Sequence, residues 1–226
     1  MAATPVPLEQ AQAHARTGDL WLFRGRTVAD RAIQAATNAP VNHVGLVVVV
    51  DDLPPLLWHA ALDPKLADVW RADHHRGAQL NRLDDAALRW RDLGNRAWSR
   101  HIHPELTADH ERRLLEVIDE YDGRPFPTGP RMARRWVAGR VGHDAGDEIV
   151  YCAELAALTL TRMGLLPEGR PVNWYDPGRF WSGDGLALLD GYEHGAEQEV
   201  ALPPVDGGRA GAEHGLRARL RPPWRD

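Results

Sequence analysis

Two different periods organise the apolar positions of this chain. Residues 41–50 are mostly apolar and β-branched, with Asn38-Ala39-Pro40 before them and Asp51-Asp52 after. That pattern predicts a buried strand with His43 at its beginning. Residues 51–55 read as a turn, and Leu56-Leu57-Trp58-His59-Ala60-Ala61 as the returning strand. The hairpin brings His59 near His43 but leaves the register open, because Pro54 and Pro55 have no N–H for the ladder. Gly45, two residues after His43, shares its face and leaves room for a close approach. Shorter strands are predicted at residues 20–23, after the turn Arg16-Thr17-Gly18-Asp19, and at residues 96–103, ended by Pro104. A last strand or hairpin is predicted at residues 197–202.

Helical spacing governs the remaining strong runs. Thr27 caps a helix over residues 28–37 with Val28, Ala32, Ile33 and Ala36 on one face. Thr107 caps a second over residues 108–121, turning Leu114, Leu115, Val117, Ile118 and Tyr121 inward. A basic helical piece is predicted around residues 131–140. A third apolar helix covers residues 152–163 and is closed by Gly164. Residues 62–95 are charged and poorly periodic, with a strand or short helix expected near residues 78–80. The organisation expected is an N-terminal lead-in over residues 1–15, one domain over 16–202, and a flexible tail rich in Pro, Gly and Arg over 203–226. The fold class is α+β, an antiparallel sheet of about five or six strands forming a small open barrel with packed helices.

Composition narrows the partners. With 226 residues, 43% of them hydrophobic and 26% charged, the chain has enough apolar material for a sizeable core. A net charge of −5 and a pI near 6.1 argue against nucleic acid or an anionic membrane as the main partner. No run approaches 18 apolar residues and the N-terminus has no signal-peptide core. The expectation is therefore a cytoplasmic protein without an integral membrane segment. A single cysteine cannot form an internal disulfide.

That cysteine, Cys152, stands where the Gly- and Asp-rich segment 141–147 gives way to the third helix. Unpaired N–H groups and the positive end of a helix dipole favour a thiolate there. Taken alone, a lone cysteine opening a buried helix is more often a small core residue. A thiol hydrolase needs an activated sulfur, an imidazole within reach of it, and a polar group on the far ring nitrogen. Cys152, His43 and His59 supply these types, although eleven histidines also produce accidental triples. His101 and His103 on one strand face, and His74-His75 beside Asp73, read as surface histidines, because the further ligands of a metal site cannot be named. No metal and no cofactor is expected.

The order of three motifs adds to this. Gly18-Asp19-Leu20, then His43-Val44-Gly45-Leu46-Val47, then Tyr151-Cys152-Ala153-Glu154-Leu155 resembles the permuted NlpC/P60 group of papain-like cysteine hydrolases. These are the YiiX/YaeF-type amidases, related to lecithin–retinol acyltransferase-like proteins. The resemblance covers roughly residues 16–185 and implies a circularly permuted papain-like fold. It implies Cys152 as nucleophile, His43 as base, and His59 as the third member accepting the Nδ1 proton of His43. Relatives often carry an acid at that third position and a Ser where this chain has Ala153. The mechanism implied is a thioacyl-enzyme, with the backbone N–H of Cys152 as oxyanion donor. Tyr151 either adds a hydroxyl to the site or points into the core. Glu154 has a structural or site-lining role, and Trp58 beside His59 lines the substrate cleft.

The function expected is a cysteine-dependent amidase or peptidase acting on a peptide amide or lipid-linked acyl substrate. Acyl transfer through the same thioester, and a non-catalytic ligand-binding module that retains the cleft, are the alternatives.

Overall fold

The structure is a computed structural model and describes residues 4–146, 148 and 150–204. Asp147, Ile149 and nearly all of the expected tail lie outside the described residues. The chain runs β1 (Val6–Pro7), α1 (Leu8–Ala13), β2 (Leu20–Arg24), α2 (Val28–Thr37), β3 (His43–Val48) and β4 (Leu56–Ala61). It continues through β5 (Gly77–Arg82), α3 (Leu83–Asp92), β6 (Arg96–Arg100), β7 (Ile102–His103), α4 (Ala108–Tyr121) and α5 (Gly129–Arg140). It ends with α6 (Cys152–Arg162), a 3-10 turn over Val172–Trp174, α7 (Pro177–Ser182), β8 (Glu193–His194) and β9 (Gln198–Ala201).

Seven strands form one sheet in the order β1-β9-β6-β2-β3-β4-β5, antiparallel throughout except for the β1–β9 pair. β7 and β8 form a separate ribbon. The fold is therefore α+β with a mostly antiparallel sheet. It has seven strands where five or six were expected: β1, two residues long, gives no signal in sequence, and it pairs with the predicted last strand, β9, across nearly the whole chain. The lead-in is thereby stitched to the sheet. Nor does the sheet enclose one core as a small barrel would: helices cover both of its faces.

Those faces explain the unbroken apolar runs. In β2, Leu20 and Leu22 point to a core shared with α4, α6 and α7, while Trp21 and Phe23 point to one shared with α1 and α3. A strand buried on both sides needs no polar alternation. β3 does the same, sending Val44, Leu46 and Val48 to the α6 side and Val47 to the α3 side. Gly45 is required there. A Cβ on it would stand 2.8 Å from Leu57 Cδ1 and 3.0 Å from His59 Cβ on the neighbouring strand.

The helix caps follow the sequence closely. The Thr27 side chain accepts from Asp30 N and Asp30 reciprocates, while Thr107 caps α4 through the His110 N–H. Gly164, at φ +83°, ends α6 in the left-handed conformation. Two elements depart from expectation. The charged stretch 62–95 contains a full helix, α3, whose Leu83, Ala86 and Ala87 are buried at helical spacing among Asp and Arg. And α2, whose apolar residues mark one face, buries none of them, with Val28 85% exposed. Its Ala32, Ile33 and Ala36 face a cleft instead.

Candidate active site

The histidines on β3 and β4 meet as the hairpin predicted, and their geometry fixes their protons. His43 Nε2 lies 2.9 Å from His59 Nδ1, and His59 Nε2 lies 2.8 Å from Asn81 Oδ1 on β5. The Asn81 amide is oriented by its Nδ2, which donates to the Ala67 carbonyl at 2.8 Å. The oxygen facing His59 can only accept, so His59 carries its proton on Nε2. Neutral His59 then offers a lone pair at Nδ1, and His43 must donate to it from Nε2. That leaves the lone pair of His43 on Nδ1, which has no hydrogen-bond partner among the described residues. His59, expected to accept the Nδ1 proton of His43, therefore engages Nε2 instead.

Burial keeps both rings neutral. Burial, with the neighbouring His59 adding to it, holds His43 well below its ordinary value of 6.5. Burial likewise brings His59 down to about 4, against the opposing bond to Asn81. The register puts His43 opposite Phe23 and His59 opposite Gln79. The His43 ring packs 4.2 Å from that of Trp90 on α3. The whole chain from Asn81 to His43 thus lies in the α3 layer.

Cys152 approaches from the other layer, as the first residue of α6 in the core on the opposite face. Nearby main-chain groups at Val44, Ala153 and Cys152 itself act to lower the pKa of its thiol. Burial outweighs them and pushes the thiol from 9.0 up to about 12. The helix N-terminus was expected to lower it; desolvation is the larger effect here. No hydrogen bond joins the sulfur to the His43 ring among the described residues, although both side chains line one cleft.

The neighbours of Cys152 are committed elsewhere. The Tyr151 hydroxyl lies 2.7 Å from the Tyr175 carbonyl and 3.1 Å from that of Asn173, the inward orientation of the two considered. Glu154 is fully buried, pairs with Arg135 Nε at 2.9 Å and accepts from the Tyr151 N–H at 3.0 Å. Burial raises its pKa to about 7 despite the guanidinium. It anchors the first turn of α6 and does not line the cleft. Trp58 also turns away from it. Alternation places it on the α6 side, opposite to His59, where its Nε1 donates to Thr159 Oγ1 at 3.1 Å. Asn81 and Trp90 are the site residues that sequence reasoning missed. The one available signal was the polar–apolar alternation of Gln79-Leu80-Asn81.

The cleft has a volume of about 720 Å³ and runs under α2. Ile33, Leu62, Trp90, Phe126, Met132 and Trp136 form much of its wall. Among the described residues, no Lys or Arg lines it. Its three carboxylates are occupied: Asp30 by the Asn42 amide, Asp63 by Arg89, and Asp176 by Arg140.

Among the described residues no helix is long and apolar enough to cross a membrane. No family model and no curated protein matches the chain. Among solved structures it is similar to the metalloprotein YiiX from Escherichia coli O157:H7, at 18% identity and a TM-score of 0.48. The match covers 66% of this chain and 66% of that one, a little under two thirds of its length.

Proposed function

We propose that the protein is a cysteine-dependent acyl hydrolase of permuted papain-like type. Cys152 is its nucleophile, His43 its general base and His59 the residue that positions His43. The observation that carries this reading is the directed chain Ala67 C=O, Asn81, His59, His43, which ends on a bare ring nitrogen in a cleft shared with the only cysteine. The order of the Gly18, His43 and Cys152 motifs along the chain supports the same assignment.

The resting pair is a neutral thiol and a neutral imidazole. His43 Nδ1 takes the thiol proton as Sγ attacks the acyl carbon, and the backbone N–H of Cys152, at the start of α6, faces the developing oxyanion. The imidazolium then gives that proton to the leaving amine, alcohol or thiol. Water, deprotonated by the same nitrogen, cleaves the thioester. The His59 lone pair stabilises the transient imidazolium, less strongly than a carboxylate would. The step needs Sγ and the ring to close from their resting positions, as catalytic contacts often do on substrate binding.

The cleft selects the acyl group. An apolar wall with no Lys or Arg among the described residues suits a neutral, apolar acyl chain better than a peptide bearing carboxylates. The test uses p-nitrophenyl esters of short and long fatty acids, with intact mass as readout. Acyl adducts on Cys152 should form, faster with the longer chains, and fail to form in Cys152→Ala. His43→Ala should slow acylation about 10²- to 10⁴-fold. Acylation of neither protein would overturn the reading.

A ligand-binding module is the second reading. The thiol pushed up to about 12 and lacking a bond to His43 favours it. It predicts that Cys152→Ala binds the long-chain ester product as well as the wild type does, while the wild type never acylates.

A further inference from the structure

At the other end of β5, a second group of charged side chains lies outside the cleft. Asp68 is buried, with its side chain 0% exposed. One of its carboxylate oxygens accepts from Trp70 N and Leu80 N, and the other, Oδ2, has no hydrogen-bond partner. Asp122 is 2% exposed at its side chain, and neither of its oxygens has a hydrogen-bond partner. It also caps the C-terminus of α4, where the helix dipole is negative and a buried carboxylate is least welcome.

Between them stands His75. Its Nε2 lies 3.4 Å from Asp68 Oδ2 and 3.9 Å from Asp122 Oδ1. Its Nδ1 lies 2.8 Å from Asp73 Oδ1. Arg71 supplies a guanidinium beside these groups. It reaches Asp73 at 3.8 Å and the main-chain oxygen, not the carboxylate, of Asp122 at 3.2 Å. Asp68 Oδ2 and both oxygens of Asp122 are buried without a hydrogen-bond partner, and these are the donors a cation would take.

We propose that Asp68 Oδ2, Asp122 and His75 Nε2 form a binding site for one divalent cation of zinc or manganese type. Donors around a tetrahedral ion at about 2.0–2.2 Å stand about 3.3–3.6 Å apart; the 3.4 Å from His75 Nε2 to Asp68 Oδ2 falls in that range and the 3.9 Å to Asp122 Oδ1 lies just beyond it. Asp73 holds the imidazole by Nδ1, the carboxylate–histidine–metal arrangement that turns the Nε2 lone pair toward the ion. To bind, Nε2 gives up its 2.9 Å contact with the Ala78 carbonyl. The ion would tie the loop before β5 to the end of α4. It would act as a structural clamp next to Ala67, whose carbonyl begins the Asn81–His59–His43 chain.

The test is titration of the full chain, stripped with chelator, with Zn²⁺ or Mn²⁺ alone. Bound metal is read by mass spectrometry after dialysis and the melting temperature is followed in parallel. One ion per chain and a raised melting temperature are expected. His75→Gln and Asp122→Asn should each abolish both, and Asp73→Asn should weaken affinity about 10- to 100-fold. Exposed His74, substituted by Ala, should change neither. The proposal fails if the wild type retains no metal. It also fails if binding persists in both His75→Gln and Asp122→Asn, which would put the ion elsewhere. A more stable, metal-indifferent Asp122→Asn would show instead that Asp68 and Asp122 share a proton.

Discussion

The two layers that meet at the cleft prepare their chemistry in opposite ways. In the α3 layer, every proton from Asn81 to His43 has a defined place, and the chain ends on one nitrogen ready to accept another. In the α6 layer, the helix start is rigidly anchored by the Arg135–Glu154 pair, yet its sulfur is held as an unreactive thiol. In the proposed hydrolase, one side is set before substrate arrives, while the other needs the bound substrate to bring sulfur and ring together. A buried thiol guarded in this way resists adventitious alkylation and oxidation.

The contrast breaks first at the thiol. At neutral pH, Cys152 should carry about a thousandfold less thiolate than an exposed cysteine. Its alkylation by iodoacetamide, followed by intact mass, should climb steadily with pH through 9. A plateau below pH 9 would mean that the sulfur is activated at rest, and the difference between the layers would vanish.

The histidine layer is sharpened by acid. The pKa of His59 in the folded chain lies below its unfolded value, so between about pH 6.5 and pH 4 the unfolded chain binds the extra proton. Stability is whole above pH 6.5 and falls as pH drops toward 4. His59 alone accounts for about 3 kcal/mol of that fall. Urea denaturation across this range checks it. Stability independent of pH there would show that His59 already holds its charge.

Much of the layered arrangement can be read in the chain itself. β-Branched residues announce β3, Thr27 and Thr107 announce two helix starts, and the hairpin puts His59 beside His43. Local pattern suffices for all of these. What it misses depends on distant neighbours. Asn81 lies in a charged, poorly periodic stretch where the short Gln79-Leu80-Asn81 alternation hints at a strand, but its partner follows only from the β4–β5 register. α3 hides because its buried Leu83, Ala86 and Ala87 are interleaved with Asp and Arg. Trp58 and His59 are adjacent in sequence, but the sheet sends them to opposite layers. The thiol was misjudged because a helix N-terminus is legible in sequence and burial is not. The clamp of Asp68, Asp73, His75 and Asp122 joins a loop to a helix end, and only the His-Asp fragment within the loop could be noticed.

The central claim is that the hydrogen-bond chain presets His43 with its lone pair on Nδ1. ¹⁵N NMR of the imidazole rings at pH 7, comparing wild type with Asn81→Leu, measures this directly. The account predicts both His43 and His59 neutral and protonated on Nε2 in the wild type. In Asn81→Leu, which removes the acceptor, His59 should become a mixture of tautomers and His43 should lose its single state. A His43 protonated on Nδ1, or doubly protonated at pH 7, would contradict the claim and leave Cys152 without its base.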